Sequence, residues 1–498
     1  MAARPGSQHL DEHSTEELRR RAVRGSAASL TAQGFSLMIG MISQVVLARL
    51  LTPSDFGLVA MVTAFTGLAT LIRDFGLSTA TVQKTHLSHE ELSSLFWINA
   101  AFGACVTVGF AALSPLVAFF YGDDRLLWIT LLLSVPCLLG GLSTQHQALL
   151  RREMRFIKLG AIDVLSLVAS TSAAILAALH GGRHWSLVLG NLTGAAVTLV
   201  AVWTACDWRP GAPSWRARPR SALTFGGYVT AFNVSNYFAR NLDNALIGWY
   251  WNERLLGLYS KAYSLLLLPL QQVNAPIAAV AIPSLSRLQD DPKRFRAAYL
   301  KVLSLTTFLT VPLVGILALV PGPIIEVVLG RAWQPSAPIF RFLSLAAFPQ
   351  VVLNTTGWLL IAGGRPDRLF RWSIFATPVI VGSFLVGLSG GPDTVAAAYA
   401  AVSFLLFVPC LFYVTKGTPV SPRDIIGAVW RQFTSAGVAA GASLLLLEGG
   451  LGSWSAAAQL ASIAGVFSAC YLVVMLGAFG TAKFYWSLRH DLRPDSAR

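Results

Sequence analysis

Five polar residues interrupt a long apolar stretch near the middle of the chain. Residues 223–251 are long and apolar enough to cross a bilayer as a helix, yet the run contains Asn233, Asn236, Arg240, Asp243 and Asn244. At about 100° per residue these positions share one arc of the helix and form a single polar stripe. An arginine near the centre of a spanning helix costs about 2.5–3.5 kcal/mol on insertion scales. The stripe is therefore predicted to face protein or a water-filled cavity rather than lipid.

A similar set of positions occurs 200 residues earlier in the chain. Another apolar run there carries polar or small residues in register with the stripe, at Gln33, Ser36, Gly40, Ser43 and Gln44. The pair Gly57-Leu58 also matches Gly257-Leu258 at this offset. These matches predict two six-helix lobes in the same orientation, related by an axis along the membrane normal, which together line one polar interior.

Three further basic residues, Arg49, Lys261 and Arg341, lie towards the outer ends of their predicted spans. Each either faces the interior or extends its charged end to the lipid headgroups. Arg240 and Asp243 are three residues apart, so a pair that neutralises itself is the alternative to a binding role. If these four bases and Asp243 share one cavity, its net charge is +3 and it favours an anionic cargo. Arginine suits phosphate because it donates two parallel hydrogen bonds to phosphate oxygens.

The composition is that of an integral membrane protein. The 498 residues are 54% hydrophobic and 12% charged, and the mean hydropathy is +0.59, which leaves too little polar surface for a soluble protein of this size. The net charge of +14 arises from bases between the apolar runs, so it predicts membrane orientation and not a nucleic-acid partner.

The sequence offers few ligands for a metal or a nucleotide. Five cysteines are scattered without CxxC or CxxH spacing, and His86 and His89 have HxxH spacing without a third ligand in motif spacing. No GxxxxGK[ST] phosphate loop occurs. We therefore expect no metal and no bound cofactor, while coupling to H⁺ or Na⁺ stays open.

Apolar runs of helical length number fourteen, which predicts an all-α protein with about 14 transmembrane helices. The spans are predicted at 26–51, 56–78, 95–121, 126–149, 157–179, 184–206, 223–251, 255–283, 298–321, 337–362, 370–388, 393–415, 425–447 and 454–480. On the side of the N-terminus lie 28 Lys and Arg residues, against four on the other side. Cytoplasmic termini follow from this bias.

The spans divide the chain into predicted domains. These are a cytoplasmic tail (1–25), an N-lobe of six spans (26–206), a basic linker (207–222), a C-lobe of six spans (223–415), two further spans (416–480) and a second cytoplasmic tail (481–498).

Prolines inside spans predict kinks at 136, 269, 276, 312, 349 and 378. Asp74 beside Arg73, and Asp163 near Lys158, are expected to form local ion pairs rather than proton or coupling-ion sites.

Several segments resemble one known family. They are NLDNALIGWYWNERLLGLYSKAYSLLLLPLQQVNAPIAAVAIPSLSRLQDD, VVLARLLTPSDFGLVAM and LIRDFGLSTATVQ, which are similar to the Wzx/WzxC-type polysaccharide flippases of the multidrug/oligosaccharidyl-lipid/polysaccharide exporter superfamily. The resemblance covers about residues 26–480. It implies a multi-pass protein of the bacterial inner membrane with two lobes around a cavity, which moves undecaprenyl-pyrophosphate-linked oligosaccharide to the periplasmic leaflet. It also implies that cationic cavity residues engage the pyrophosphate, and that polysaccharide polymerase and export proteins are possible partners.

Two other functions compete with flipping. A drug or cation antiporter on the same architecture would need buried carboxylates, and only one acidic residue, Asp243, lies in the middle of a span. A polytopic glycosyltransferase or polymerase usually needs a large outward loop, whereas the longest outward connection here, 322–336, has about fifteen residues. The sequence therefore favours a secondary transporter without enzymatic activity.

Overall fold

The structure, a computed structural model, describes residues 31, 33–74, 81, 88–212, 237, 241–450 and 454–481, with the side chains of 68–74 left undescribed. Every regular element within these ranges is helical, so the predicted all-α class is confirmed. The chain divides into two compact units, the first ending at Asn241 and the second beginning at Leu242. The boundaries predicted at 207–222 and 416 remain predictions.

Six long helices make up the described part of the first unit. They are α1 (Gln33–Leu50), α2 (Pro53–Asp74), α3 (His89–Tyr121), α4 (Arg125–Arg152), α5 (Phe156–Leu179) and α6 (His184–Ala205). Helix α3 packs along α4, and α5 packs along α6. The connections that follow α1, α3, α4 and α5 have two to four residues.

Local sequence determines where helix α3 begins and ends. Ser88 accepts a hydrogen bond from the Glu91 backbone N–H while the Glu91 side chain accepts one from the Ser88 N–H, which is a complete capping box. At the other end Gly122 adopts φ 68° and ψ 30°, a left-handed conformation that costs glycine little. These caps satisfy backbone groups that the helix itself leaves unpaired.

Glycines allow the two helix pairs of the first unit to approach closely. A Cβ at Gly103 of α3 would lie 2.9 Å from the Cys137 carbonyl oxygen of α4. A Cβ at Gly190 of α6 would lie 3.0 Å from the Ser170 carbonyl oxygen, and Gly194, four residues on, also faces Ser170. Helix pairs in membranes gain stability from close backbone packing at such small residues, because lipid supplies no strong hydrophobic drive for association.

The described helices of the second unit run from α7 to α15. They are α7 (241–250), α8 (Glu253–Ser286), α9 (Pro292–Leu319), α10 (Pro321–Val328), a 3₁₀ segment (Arg331–Ser336), α11 (Ala337–Ala362), α12 (Pro366–Leu388), α13 (Pro392–Thr415), α14 (Pro422–Glu448) and α15 (Ala456–Leu472), which a π turn (Val473–Ala478) extends. Helix α11 packs against α8, α9 and α13. One core cluster joins Phe295, Leu359, Leu411 and Ile425, from four different helices.

Eleven helices among the described residues are long and apolar enough to cross a membrane. The spans predicted at 157–179, 184–206, 337–362 and 393–415 match α5, α6, α11 and α13 to within one residue at each end. The total of about fourteen spans stays a prediction, because part of the span at 223–251 lies outside the described residues.

All six prolines predicted to interrupt spans lie inside helices, at Pro136, Pro269, Pro276, Pro312, Pro349 and Pro378. The sequence predicts a loop for the outward connection at 322–336. In the structure this connection is largely helical. Pro321 at the start of α10 suits the first turn of a helix, where no backbone hydrogen bond is lost.

Candidate functional site

Asp243 is the best defined of the predicted site residues. It lies on α7 and is 4% exposed. One carboxylate oxygen, Oδ2, accepts a hydrogen bond of 2.9 Å from the hydroxyl of Tyr259 on α8. The other, Oδ1, accepts one of 2.8 Å from the backbone N–H of Asn244. Two donors thus hold a buried carboxyl group in the interior of the second unit.

Lys261 lies two residues after Tyr259 on α8 and is 7% exposed. Its burial favours the alternative in which this base points into protein over the one in which it reaches the headgroups. On the same helix the rings of Tyr259 and Tyr263 stack with centroids 6.5 Å apart. Tyr259 and Tyr263, four residues apart, share one face of α8, whereas Lys261 lies two residues from each and is directed to a different face.

Neighbouring helices contribute a second polar contact to the second unit. The amide nitrogen of Gln350 on α11 donates a 2.9 Å hydrogen bond to the hydroxyl of Tyr399 on α13. Sequence reasoning missed both residues, because a single amide or phenol in an apolar run has no periodicity that distinguishes it.

The amides of Gln44 and Asn244 share an unusual property. These two residues occupy corresponding positions of the 200-residue repeat, and each buries its side-chain carbonyl oxygen without a hydrogen-bond partner among the described residues. A buried acceptor that lacks a donor costs about 1–3 kcal/mol. Within the described ranges neither oxygen has a donor, so both can accept a hydrogen bond from a group outside those ranges.

The remaining predicted site residues are less enclosed or lie outside the described ranges. Gln33, Arg49 and Arg341 are exposed in the structure of their own units. Asn233, Asn236 and Arg240 lie outside the described residues, and the ion pair considered between Arg240 and Asp243 stays untested with them. The predicted set is thus described at seven of its ten positions.

One local prediction is wrong. Lys158 was expected to pair with Asp163, but its ammonium group donates a 2.9 Å hydrogen bond to the Ala205 carbonyl oxygen at the end of α6. The two residues are five positions apart on α5, more than one helical turn, so they do not share a face. The side chain of Asp74, predicted to pair with Arg73, is not described.

A metal centre finds no support in the described ranges. No three His, Cys, Asp or Glu side chains there lie close enough together to hold an ion. His89 instead accepts a 3.2 Å hydrogen bond from the Trp208 indole N–H, and His86 lies outside the described residues.

Buried ionisable residues within a set of long apolar helices define a multi-pass membrane protein with a polar interior. The family model described as "Polysaccharide biosynthesis protein" matches residues 46–338, more than half of the chain. The chain therefore belongs to this family of polysaccharide biosynthesis proteins.

Two curated relatives agree with this assignment. The chain is 26% identical to the lipopolysaccharide biosynthesis protein WzxC of Escherichia coli K12 over 419 residues, which cover 84% of each protein. It is also 26% identical to the teichuronic acid biosynthesis protein TuaB of Bacillus subtilis 168, over 69% of this chain and 72% of the relative.

Solved structures show the same fold. A lipid II flippase, MurJ, in an inward closed conformation is similar with a TM-score of 0.76 and 15% identity, over 92% of this chain and 99% of that one. An inward-facing multidrug resistance transporter of the MATE family is similar with a TM-score of 0.61 and 12% identity, over 78% of this chain and 98% of that one. At these identities the likeness concerns the fold alone.

Proposed function

We propose that this protein flips a polyprenyl-pyrophosphate-linked oligosaccharide, of the undecaprenyl type, across the bacterial inner membrane for the synthesis of a surface polysaccharide. The observation that carries the proposal is the family match over residues 46–338 in a chain with the fold of a lipid flippase. Relatives named for lipopolysaccharide and teichuronic acid biosynthesis support a saccharide cargo.

The chemistry of the cargo fits the residues proposed to receive it. A pyrophosphate needs several donors at once, and an ammonium group buried in an apolar bundle is a strong donor to phosphate oxygens. In this proposal Lys261, Arg240, Arg49 and Arg341 bind the pyrophosphate as the two lobes alternate in access. Asn233, Asn236, Asn244, Gln33 and Gln44 supply donors and acceptors to the polar part of the cargo, while Asp243 orients the site through Tyr259.

Orientation and energy source are part of the same proposal. The bias of 28 against four basic residues supports cytoplasmic termini in the inner membrane. The protein would act as a secondary transporter and not as an enzyme, with no resident cofactor and with H⁺ or Na⁺ as candidate coupling ions. A polysaccharide polymerase that consumes the cargo on the outer side would pull transport in one direction.

An antiporter of drugs or cations is the second candidate. Its support is the fold shared with a multidrug transporter and the buried carboxylate of Asp243. The family match instead favours the saccharide cargo. Deleting the gene should leave drug susceptibility unchanged if flipping is the function.

Depletion of the protein in its native cell tests the proposal. Lipid-linked repeat units should accumulate on the cytoplasmic leaflet while the surface polymer disappears. If the depleted cells make normal polymer but change in drug susceptibility, the protein is an antiporter and not a flippase. If the purified protein transfers glycosyl groups, it is an enzyme.

A further inference from the structure

A polar cavity of about 440 Å³ opens within the first unit, among α4, α5 and α6. Its lining includes Ser143, Thr144, Asp163, Asn191 and Thr198, and none of the described residues that line it is aromatic or basic. The lack of aromatic rings makes it a poor platform for a sugar ring, and the lack of bases makes it a poor site for phosphate. The cavity thus differs in chemistry from the cargo site proposed above.

The single charged residue of this lining is Asp163. It lies seven residues after the first residue of α5, about 10 Å along the helix axis. Its carboxylate forms no hydrogen bond or ion pair with any described residue, since Lys158 is directed to the Ala205 carbonyl. Arg151 attracts it only at longer range. The side chain of Asp163 is exposed to this cavity, and among the described residues no base lies within ion-pair distance of it, so the described lining presents a negative charge to a guest.

The two hydroxyl groups that α4 places around Asp163 offer oxygen lone pairs rather than protons, while the amide of Gln147 in the same lining can both donate and accept. Ser143 donates its hydroxyl proton to the Leu139 carbonyl at 2.7 Å, and Thr144 donates to the Gly140 carbonyl at 2.8 Å. A hydroxyl has one proton, so only its lone pairs remain for a guest. Each donation goes back to the backbone of the same helix.

The groups contributed by α6 follow the same pattern. The hydroxyls of Thr198 and of Ser166 on α5 lie 2.9 and 2.8 Å from the Gly194 carbonyl oxygen and 2.7 Å from each other. Their two protons are therefore used within this group of three oxygens. The amide nitrogen of Asn191 donates to the Leu187 carbonyl at 2.9 Å, which leaves its side-chain oxygen as an acceptor. Helices α4, α5 and α6 thus place near the carboxylate four hydroxyl oxygens whose protons are already used, together with the side-chain amide oxygens of Asn191 and Gln147.

We propose that this cavity binds a monovalent alkali cation, with Asp163 as the charged ligand and with hydroxyl and amide oxygens of α4 and α6 as neutral ligands. Hard cations take oxygen ligands, and a divalent ion commonly requires more than one carboxylate. The volume far exceeds that of a bare ion, so the ion keeps several waters. The ion would serve as the coupling ion of the proposed transport, but its binding does not depend on which cargo is carried.

The test measures thermal unfolding of the purified full-length protein in detergent. NaCl and KCl are compared with N-methyl-D-glucamine chloride at equal ionic strength and pH. We expect Na⁺ or K⁺ to raise the Tm by about 2 °C when it is well above its Kd. Asp163→Asn, which keeps the shape and removes the charge, should abolish this increment. Asp207→Asn is the matched control, since Asp207 is largely exposed and contacts only Arg155 at 3.7 Å among its ion pairs.

A second variant keeps the proposal testable if Asp163→Asn does not fold. Asn191→Ala keeps the carboxylate and removes one neutral oxygen, so it should raise the cation concentration at half-effect about threefold to tenfold. An equal increment of Tm in Asp163→Asn, no increment in the unaltered protein, or an unchanged half-effect concentration in Asn191→Ala would each overturn the proposal. Cation binding that persists in a protein unable to flip lipid would overturn only the proposed function.

Discussion

The hydroxyl of Tyr259 donates a 2.9 Å hydrogen bond to the carboxylate of Asp243, and this contact joins the first two helices of the second unit through fully buried side chains. The bond crosses a turn near Asn252, whose side chain caps the start of α8. It fixes the carboxylate next to a helix that also carries Lys261. The geometry of the proposed cargo site therefore depends on a phenol group sixteen residues away in sequence.

Removing this phenol hydroxyl should weaken the second unit. In Tyr259→Phe the Oδ2 oxygen of the buried Asp243 carboxylate loses its hydrogen-bond donor. Hydrogen bonds to charged groups contribute about 1.5–3 kcal/mol to stability. We expect a lower Tm in detergent and reduced polymer export. Tyr250→Phe, whose side chain on α7 is exposed, is the control. Equal stability of the two variants would show that the Asp243 contact contributes nothing.

The close crossing of α5 and α6 should tolerate no added methyl group. In Gly190→Ala the new Cβ would lie 3.0 Å from both the Ser170 carbonyl oxygen and the Ala174 Cβ. Overpacking of this kind costs about 1–3 kcal/mol. Thermal unfolding measures the effect. Gly109→Ala is the control, because nothing lies within 4 Å of a Cβ there, and it should be neutral or slightly stabilising.

An ion pair outside the membrane spans should give the second unit a pH-dependent stability. Arg296 donates to both carboxylate oxygens of Asp424, at 2.8 and 2.5 Å, and this contact lowers the pKa of Asp424 below its ordinary value. A carboxyl group with a lowered pKa stabilises the fold above its unfolded-state pKa of about 3.9, and the contribution is lost as the pH falls further.

The variant Arg296→Gln should therefore have a lower Tm than the unaltered protein at pH 7. The difference between the two Tm values should shrink as the pH is lowered and Asp424 becomes protonated. Arg294→Gln, two residues earlier, is the control for a change in net charge. A difference that grows as the pH falls would contradict the assignment of the effect to ionised Asp424.

The orientation predicted from basic residues is testable with single cysteines. In a background whose five native cysteines are replaced by alanine, Arg331→Cys should react with a membrane-impermeant maleimide added outside the inner membrane. Arg287→Cys should react only after the membrane is opened. Both side chains are exposed. The reverse pattern would invert the proposed topology.

Much of the fold could be predicted from the sequence, because a membrane span must satisfy its own backbone hydrogen bonds and so appears as an unbroken apolar run. Helices α5, α6, α11 and α13 were located in this way. Their interior prolines, such as Pro349, did not end them. Helix α10 was missed because eight residues are too few to give a span-length signal.

The candidate site was less accessible to sequence reasoning. The burial of Asp243 followed from the cost of charge in lipid, but its partner did not, and for Lys261 the sequence left burial and a headgroup contact both open. The role of Tyr259 was not predicted, since spacing does not show which phenol reaches a carboxylate on another helix. The expected partner of Asp163 was wrong for the same reason: the Ala205 carbonyl that holds Lys158 is distant in sequence.

Reconstituted transport tests the central claim most directly. The purified protein is placed in vesicles with a fluorescent polyprenyl-pyrophosphate-linked oligosaccharide on one leaflet, and the fraction that reaches the other leaflet is followed in time. We predict at least tenfold faster crossing than in protein-free vesicles, and a return towards that slow rate for Lys261→Gln but not for the exposed control Arg254→Gln. Crossing at the protein-free rate, or an unaffected rate in Lys261→Gln, would contradict the account.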